Sequence, residues 1–408
     1  MKTVEAATSV KPMSAWSLAH PAVIYALVWA TALVLLRLRL TPVLLPVSHR
    51  VLSLLLASVL SSIAMGVIAA RTWPMPVETS HARRVELDEL GRWSRVILII
   101  WIVGTVFEII VGRGVPLQWL AMGDRTRDYR NFGVSSLHGF LMAMYFATVT
   151  ITAIEWWIGR RSRPWQLLAL LAWPLVMMNR AAIMWALLQA IAVYLLARER
   201  LRWRTVATLI VVLVASLWLF GAVGVARATP DVPQALRAET TGPFAAKLPI
   251  GVLWAYVYVT SPINNVVYGT EHLEPVGAVH FSVAALVPTV LRVRLFDSTK
   301  RFPLQMADPR FNTATWFAAF LADFGFFGAF AATTVLLMIA AAFYSFARAG
   351  QIWAVLGYSA CFQAVALSIF ADSFTSLVCI AQLLLALAFR VRVRSLGAFG
   401  ESDSEGLR

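Results

Sequence analysis

R-E-R-L-R-W-R-T-V-A-T-L-I-V-V-L-V-A-S-L-W-L-F-G-A-V-G-V-A (198–226) joins a basic cluster to an unbroken apolar run. From Thr205 to Ala226 the run carries no charge. A hydrocarbon core about 30 Å thick takes about 20 such residues of helix to cross. The run therefore predicts a membrane span with its arginines at one end. The same pattern recurs along the chain. Hydrophobic residues make up 60% of the 408, against roughly 45–50% in a soluble domain, and the mean hydropathy is strongly positive. The chain reads as one all-α, polytopic integral membrane domain over 1–408, because no polar stretch is long enough to build a second core.

Ten stretches qualify as spans: 21–39, 51–70, 95–112, 137–158, 165–178, 181–197, 205–226, 314–343, 352–371 and 374–391. No small-residue cleavage site follows the first, so it reads as a retained span and not a signal peptide. R-R-S-R (160–163), 198–204 and R-V-R-V-R (390–394) mark the cytoplasmic side by their positive charge. Both termini then lie in the cytoplasm, and loops 113–136 and 227–313 face outward. The loop 71–94, with Arg71, Arg83, Arg84 and Arg92, falls inside as expected. Arg37, Arg39 and Arg50 fall outside, against the trend. The short pair 165–178 and 181–197 reads as a hairpin with Arg180 at its outer tip. In the long outer loop, 247–259 and 276–291 read as interfacial or re-entrant helices, separated by the turn-rich stretch S-P-I-N-N-V-V-Y-G-T-E-H-L-E-P.

The net charge of +14 sits in short loops between spans, where it orients the chain and meets anionic lipid; nucleic acid is not an expected partner. Arginine dominates the outer loops: Arg113, Arg125, Arg127 and Arg130 in one, and Arg227, Arg292, Arg294, Arg301 and Arg310 in the other. A planar guanidinium grips phosphate bidentately and keeps its charge. The bland alternative is that these arginines snorkel to headgroups or pair with Asp124 and Asp128. Asp323 is the second signal, because a carboxylate inside an apolar segment normally faces a cavity or a partner. On a continuous helix Asn312 and Asp323 share one face, roughly 16 Å apart along the axis. Glu108 and Glu155 sit near span ends and read as interfacial. The histidines and the two cysteines lack zinc-ligand spacing, so no metal is expected; E-H-L-E (271–274) is a weak exception. His138, which opens a span after the arginine cluster, reads as a base, a phosphate orienter or a helix cap. There is no phosphate loop, no nucleotide-binding βαβ unit and no G-x-S-x-G turn. Any sugar transferred must therefore arrive already activated on a lipid.

Several pieces, in this order, resemble the O-antigen and oligosaccharide repeat-unit polymerases, the Wzy family. They are G-R-G-V-P-L (112–117), Y-R-N-F-G-V-S-S-L-H-G (129–139), N-R (179–180), Y-V-Y-V-T-S-P-I-N-N (256–265) and N-T-A-T…D-F-G-F-F-G (312–328). The resemblance implies a GT-C-like multi-pass glycosyltransferase of the bacterial inner membrane that needs no cofactor. It would transfer a glycan from polyprenyl diphosphate to the non-reducing end of another lipid-linked repeat unit at the periplasmic face. A chain-length-regulating co-polymerase is the implied protein partner. On this reading Arg127, Arg130, Arg180 and Arg310 hold diphosphate, since preorganised cations stabilise a leaving group as its charge develops. Asp128, His138 and Asp323 compete for the role of base or its orienter. Tyr129, Trp254 and Tyr258 line the sugar path. An O-antigen ligase, which uses the same donor, and a lipid-linked oligosaccharide flippase are the rival readings. A flippase predicts charge spread along many spans, whereas here it gathers at the loops.

Overall fold

The computed structural model describes residues 15–42, 44–72, 80–124, 127, 132–159, 161, 163–198, 200–228, 231–271, 273–296, 302–307, 310–311 and 313–405. Among them every regular element is a helix. The chain opens with α1 (Ala15–Ala19), α2 (Pro21–Arg37), α3 (His49–Thr72) and α4 (Ser80–Gly112), followed by the short α5 (Pro116–Ala121). Next come α6 (Leu137–Trp157), the hairpin of α7 (Pro164–Val176) and α8 (Arg180–Leu196), and α9 (Trp203–Arg227). The short α10 (Asp231–Ala238) and α11 (Gly242–Lys247) lead into α12 (Ile250–Thr270), and α13 (Phe281–Ala284) and α14 (Thr289–Leu295) follow it. The chain closes with α15 (Phe317–Arg348), α16 (Ile352–Ala366) and α17 (Leu377–Glu405). Six stretches are long and apolar enough to cross a membrane: α3, Arg83–Ala121, α6, α9, α12 and α15. The apolar helices α2, α7, α8 and α16 are shorter. Chain in hydrocarbon has no water to pair with, so uninterrupted apolar runs satisfy their own backbone as helices.

The two ends of α4 define two faces. At its start Glu86 accepts the N–H of Ile352 at 2.7 Å and so caps α16. Glu89 pairs with Arg92 at 2.8 Å and with Arg392 of α17 at 3.3 Å. Asp88 pairs with Arg161, which with Arg163 also meets Glu155 at the end of α6. This belt gathers the early part of α4, Glu155, Arg161 and Arg163, and Arg392 in the middle of α17 at one face. Glu108 lies 22 residues beyond Glu86, about 33 Å along a helix, and there it meets His138 at the start of α6. Glu108 and Glu155 lie near the ends of α4 and α6, and each is 2% exposed or less and has a partner. The expected loop 71–94 is corrected, since Ser80 onward is already helix.

Between the faces aromatic contacts tie α2 to the start of α15. Tyr25 and Trp29 of α2 meet Trp316 and Phe317. Trp29 Nε1 donates to Ser368 Oγ at 3.0 Å, and the Trp316 N–H donates to the Ser368 carbonyl at 2.9 Å. The connection between α16 and α17 is thus tied in level with the middle of α2.

Two expectations about the long loop and its exit are overturned. The stretch 260–270 is not turn-rich but continues α12, with Pro262 inside the helix. Its asparagines serve tertiary partners instead of turns. Asn264 accepts the N–H of Leu45 at 2.7 Å, and Asn265 donates to the carbonyls of Phe311 and Thr313, both at 2.7 Å. The shared face of Asn312 and Asp323 also fails. Asn312 lies outside the described residues, 313–316 are not helical, and α15 begins only at Phe317.

Helix α15 is broken at Gly325, where φ is 67° and ψ is −163°, a region that costs a side-chain-bearing residue on the order of 1–3 kcal/mol. The break exposes carbonyls, and the chain that follows α12 fills them. Val276 and Gly277 donate their N–H groups to the carbonyls of Ala322 and Asp323, each at 2.9 Å. Pro275 packs over Gly325, 3.1 Å from where a Cβ would sit. Gly325→Ala is expected to destabilise the fold by about 1–3 kcal/mol, seen as a lower thermal midpoint in detergent micelles. An unchanged midpoint would show that the break is not strained.

Candidate functional site

The α7–α8 hairpin turns at Met178, whose φ of 50° is unusual for a side-chain-bearing residue. Asn179 then caps α8, its Oδ1 accepting the Ala182 N–H at 3.2 Å. Arg180 follows as the first residue of the helix. Its guanidinium lies against two rings that meet edge to face, 4.6 Å from the centroid of Phe220 on α9 and 4.2 Å from that of Tyr258 on α12. Trp254, one helical turn before Tyr258, stacks on it at 5.9 Å. The indole Nε1 of Trp254 is buried and makes no hydrogen bond among the described residues. A methyl group added at Gly224 would lie 2.3 Å from Arg180 Nη1 and 2.4 Å from Trp254 Nε1. The missing side chain at Gly224 therefore makes room for two donors to converge.

These groups border a cavity of about 530 Å³. The first turn of α8 supplies Asn179, Arg180 and Ala181; α9 supplies Leu217 and Phe220; and α12 supplies Ala255, Tyr258 and Val259. Arg310 and Thr313 close another side, and Phe370, Ala371 and Ser373 come from the connection between α16 and α17. Arg310 is held by Glu239 at 2.7 Å. Two guanidiniums and the positive end of a helix dipole thus meet in a space whose walls include the rings of Trp185, Phe220, Tyr258 and Phe370. Such a space suits an anion with a carbohydrate or hydrocarbon attached to it.

Of the residues singled out from the sequence, Arg180, Arg310 and Tyr258 line this cavity and Trp254 stands against it. Arg127 does not line it. It is half exposed, 3.7 Å from Asp124 and over the Trp119 ring at 5.6 Å. Trp119 packs with Phe132 and Met177, which seats α5 beside the α7–α8 turn. Asp128, Tyr129 and Arg130 lie outside the described residues, as do Arg125, His272 and Arg301. His138 is engaged by Glu108, Nδ1 to Oε2 at 2.9 Å, while the other carboxylate oxygen accepts the Val134 N–H at 3.0 Å. Gly133, at φ 91°, lies so close that a Cβ would meet both His138 and Glu108.

Asp323 is fully buried and its carboxylate accepts four hydrogen bonds. They come from the N–H groups of His280, Phe281 and Ser282 at 3.1, 2.9 and 2.9 Å and from the Ser282 hydroxyl at 2.6 Å. That geometry pins the start of α13 and makes Asp323 an anchor, not a group open to a substrate. The sequence reading passed over Asp372, whose neighbours Ala371 and Ser373 line the cavity. Thr375 donates to Asp372 through both its N–H and its hydroxyl. Burial holds the Asp372 carboxyl above the usual carboxylate range, with the hydrogen bonds from Thr375 pulling the other way. The available signal was a lone acid in A-D-S-F-T between two apolar runs. Among the described residues no three His, Cys, Asp or Glu side chains gather as a metal site.

No protein-family model, no curated protein and no solved structure matches this chain. The functional reading therefore rests on the cavity and its surroundings.

Removing Glu108 would leave the His138 ring and the Val134 N–H without their buried acceptor, at a cost of about 1–3 kcal/mol. Glu108→Ala is accordingly expected to lower the thermal midpoint in detergent, and His138→Ala to lower it less. Equal and negligible shifts would remove the pair as a structural clasp.

Proposed function

We propose that this protein is a membrane glycosyltransferase that polymerises oligosaccharide repeat units carried on polyprenyl diphosphate. The observation that carries the reading is the cavity itself. Arg180, Arg310 and Tyr258, selected for this chemistry from residue type and position, converge in one space with the buried indole N–H of Trp254 beside it. The reading takes ten crossings by α2, α3, α4, α6, α7, α8, α9, α15, α16 and α17, with both termini in the cytoplasm of a bacterial inner membrane. The cavity then opens at the periplasmic side, among outer elements that include α10 to α14. The two faces marked by the ends of α4 support this arrangement.

In the proposed reaction a hydroxyl at the non-reducing end of the acceptor attacks the donor's anomeric carbon. The bond from that carbon to the diphosphate oxygen breaks, and polyprenyl diphosphate leaves. Arg180 and Arg310 would meet the charge growing on the leaving oxygen. Tyr258 and the neighbouring rings would stack against sugar. For the proton from the hydroxyl, Asp372 beside the cavity is the better-placed carboxylate, since Asp323 is already saturated by hydrogen bonds. Glu108 and His138 then act on the outer loop, orienting it and taking no proton. A chain-length-regulating co-polymerase is the protein partner this reading implies.

Membranes containing the protein, supplied with purified lipid-linked repeat unit, are expected to produce a ladder on a gel with no nucleotide sugar added. Arg180→Ala and Arg310→Ala are each expected to cut product formation at least tenfold at normal expression. A substrate that changes leaflet but never lengthens would overturn the proposal in favour of a flippase.

A further inference from the structure

The arginines at the end of α2 are not used by the cavity described above. Arg37 closes the helix, and Arg39 follows with a left-handed φ of 47°. Both are exposed, and neither is ion-paired among the described residues. The sequence holds no acidic residue between Glu5 and Glu78, so no local carboxylate answers them. They border an apolar groove of about 390 Å³ whose walls include Leu33 and Val34 of α2, Leu45 and Val47 of the connection, and Leu52 of α3. Val34 is 64% exposed, so the groove opens sideways onto what would be lipid.

Hydrogen bonds hold the connection in place. The Leu40 N–H donates to the Tyr256 hydroxyl at 3.1 Å, the Thr241 N–H to the Leu40 carbonyl at 2.9 Å, and the Leu45 N–H to Asn264 at 2.7 Å. Tyr256 and Tyr258 are alternate residues of α12. One serves the connection beside the groove, and the other lines the Arg180 cavity. The groove and the cavity are thus separated by the width of one helix, about 10 Å.

Two guanidiniums without carboxylates, above a lipid-facing apolar groove, complement a phosphate headgroup on a long hydrocarbon chain. We infer that this groove is a second lipid-diphosphate site. Arg37 and Arg39 hold the diphosphate of the acceptor glycolipid, while the Arg180 cavity holds that of the donor. The inference rests on the polymerase reading, which requires two lipid-linked substrates at one face. Placing them on either side of α12 lets their glycans meet above it while their hydrocarbon chains stay apart. It also accounts for Arg37 and Arg39, which run against the charge bias expected of an outer loop.

The test titrates the purified full chain in detergent with a sugar-free polyprenyl diphosphate and counts bound molecules by native mass spectrometry. The wild type is expected to take two per chain. The pair Arg37→Gln/Arg39→Gln is expected to take one, with an unchanged thermal midpoint because both side chains are exposed. The pair Arg180→Gln/Arg310→Gln is also expected to take one, and all four substitutions together none. Two molecules on the Arg37/Arg39 variant would overturn the inference. A single molecule on the wild type, lost only with Arg180 and Arg310, would overturn it while leaving the polymerase reading intact. Failure of the wild type to bind any would sink both. Displacement of the second molecule by equimolar phosphatidylglycerol would make the groove a seat for ordinary phospholipid and would equally overturn it.

Discussion

One buried carboxylate allows this helical protein to carry irregular chain between α12 and α15. Asp323 binds three consecutive backbone N–H groups and a hydroxyl at 280–282. The broken helix around it lends two carbonyls to 276–277. An apolar surrounding makes each unmet polar group cost several kcal/mol. Irregular backbone survives there only when every group has a partner. The clip at Asp323, with Gly325 supplying the break, gives partners to the N–H groups of Val276, Gly277, His280, Phe281 and Ser282. The segment passes the constraint on, since the Leu377 N–H at the start of α17 donates to the Ala285 carbonyl.

The same accounting shapes the cavity. A guanidinium keeps its charge in any surroundings, and an aromatic face offers it about 0.5–2 kcal/mol. Phe220 and Tyr258, from two helices, both contact the Arg180 guanidinium, which fixes its place more than its energy. Gly224 keeps the neighbouring volume open. The close approach of Gly221 to Gly251, where a Cβ would fall 2.0 Å from the carbonyl oxygen, sets α9 against α12. Small residues at that crossing permit the contact, and the contact brings Phe220 and Tyr258 around the arginine.

Much of the helical plan was legible in the sequence. The run 205–226 became α9 with its ends moved by only one or two residues, and Arg180 was placed correctly at the tip of a hairpin. These features follow from local rules of length, polarity and charge. Pro262, Asn264 and Asn265 misled because turn chemistry is also local, and there it lost to partners 46 to 219 residues away. The burial of Glu108 against a histidine was not legible because His138 lies 30 residues on. Asp372 went unnoticed because the placing of its neighbours Ala371 and Ser373 at the cavity depends on how the connection between α16 and α17 folds inward.

What the sequence determined by itself is the solvent of each segment. A chain this apolar builds helices, and charge confined to short connections places those connections at the two faces. The tertiary structure decided which polar groups face one another. That decision turned Asp323 from a candidate base into an anchor and gathered Arg180, Arg310 and Tyr258 while leaving Arg127 outside the cavity. The physical reason is range. Hydrophobicity and helix geometry act over a few residues, whereas a hydrogen bond or an aromatic seat for a cation needs two distant parts of the chain to arrive within about 3 to 5 Å.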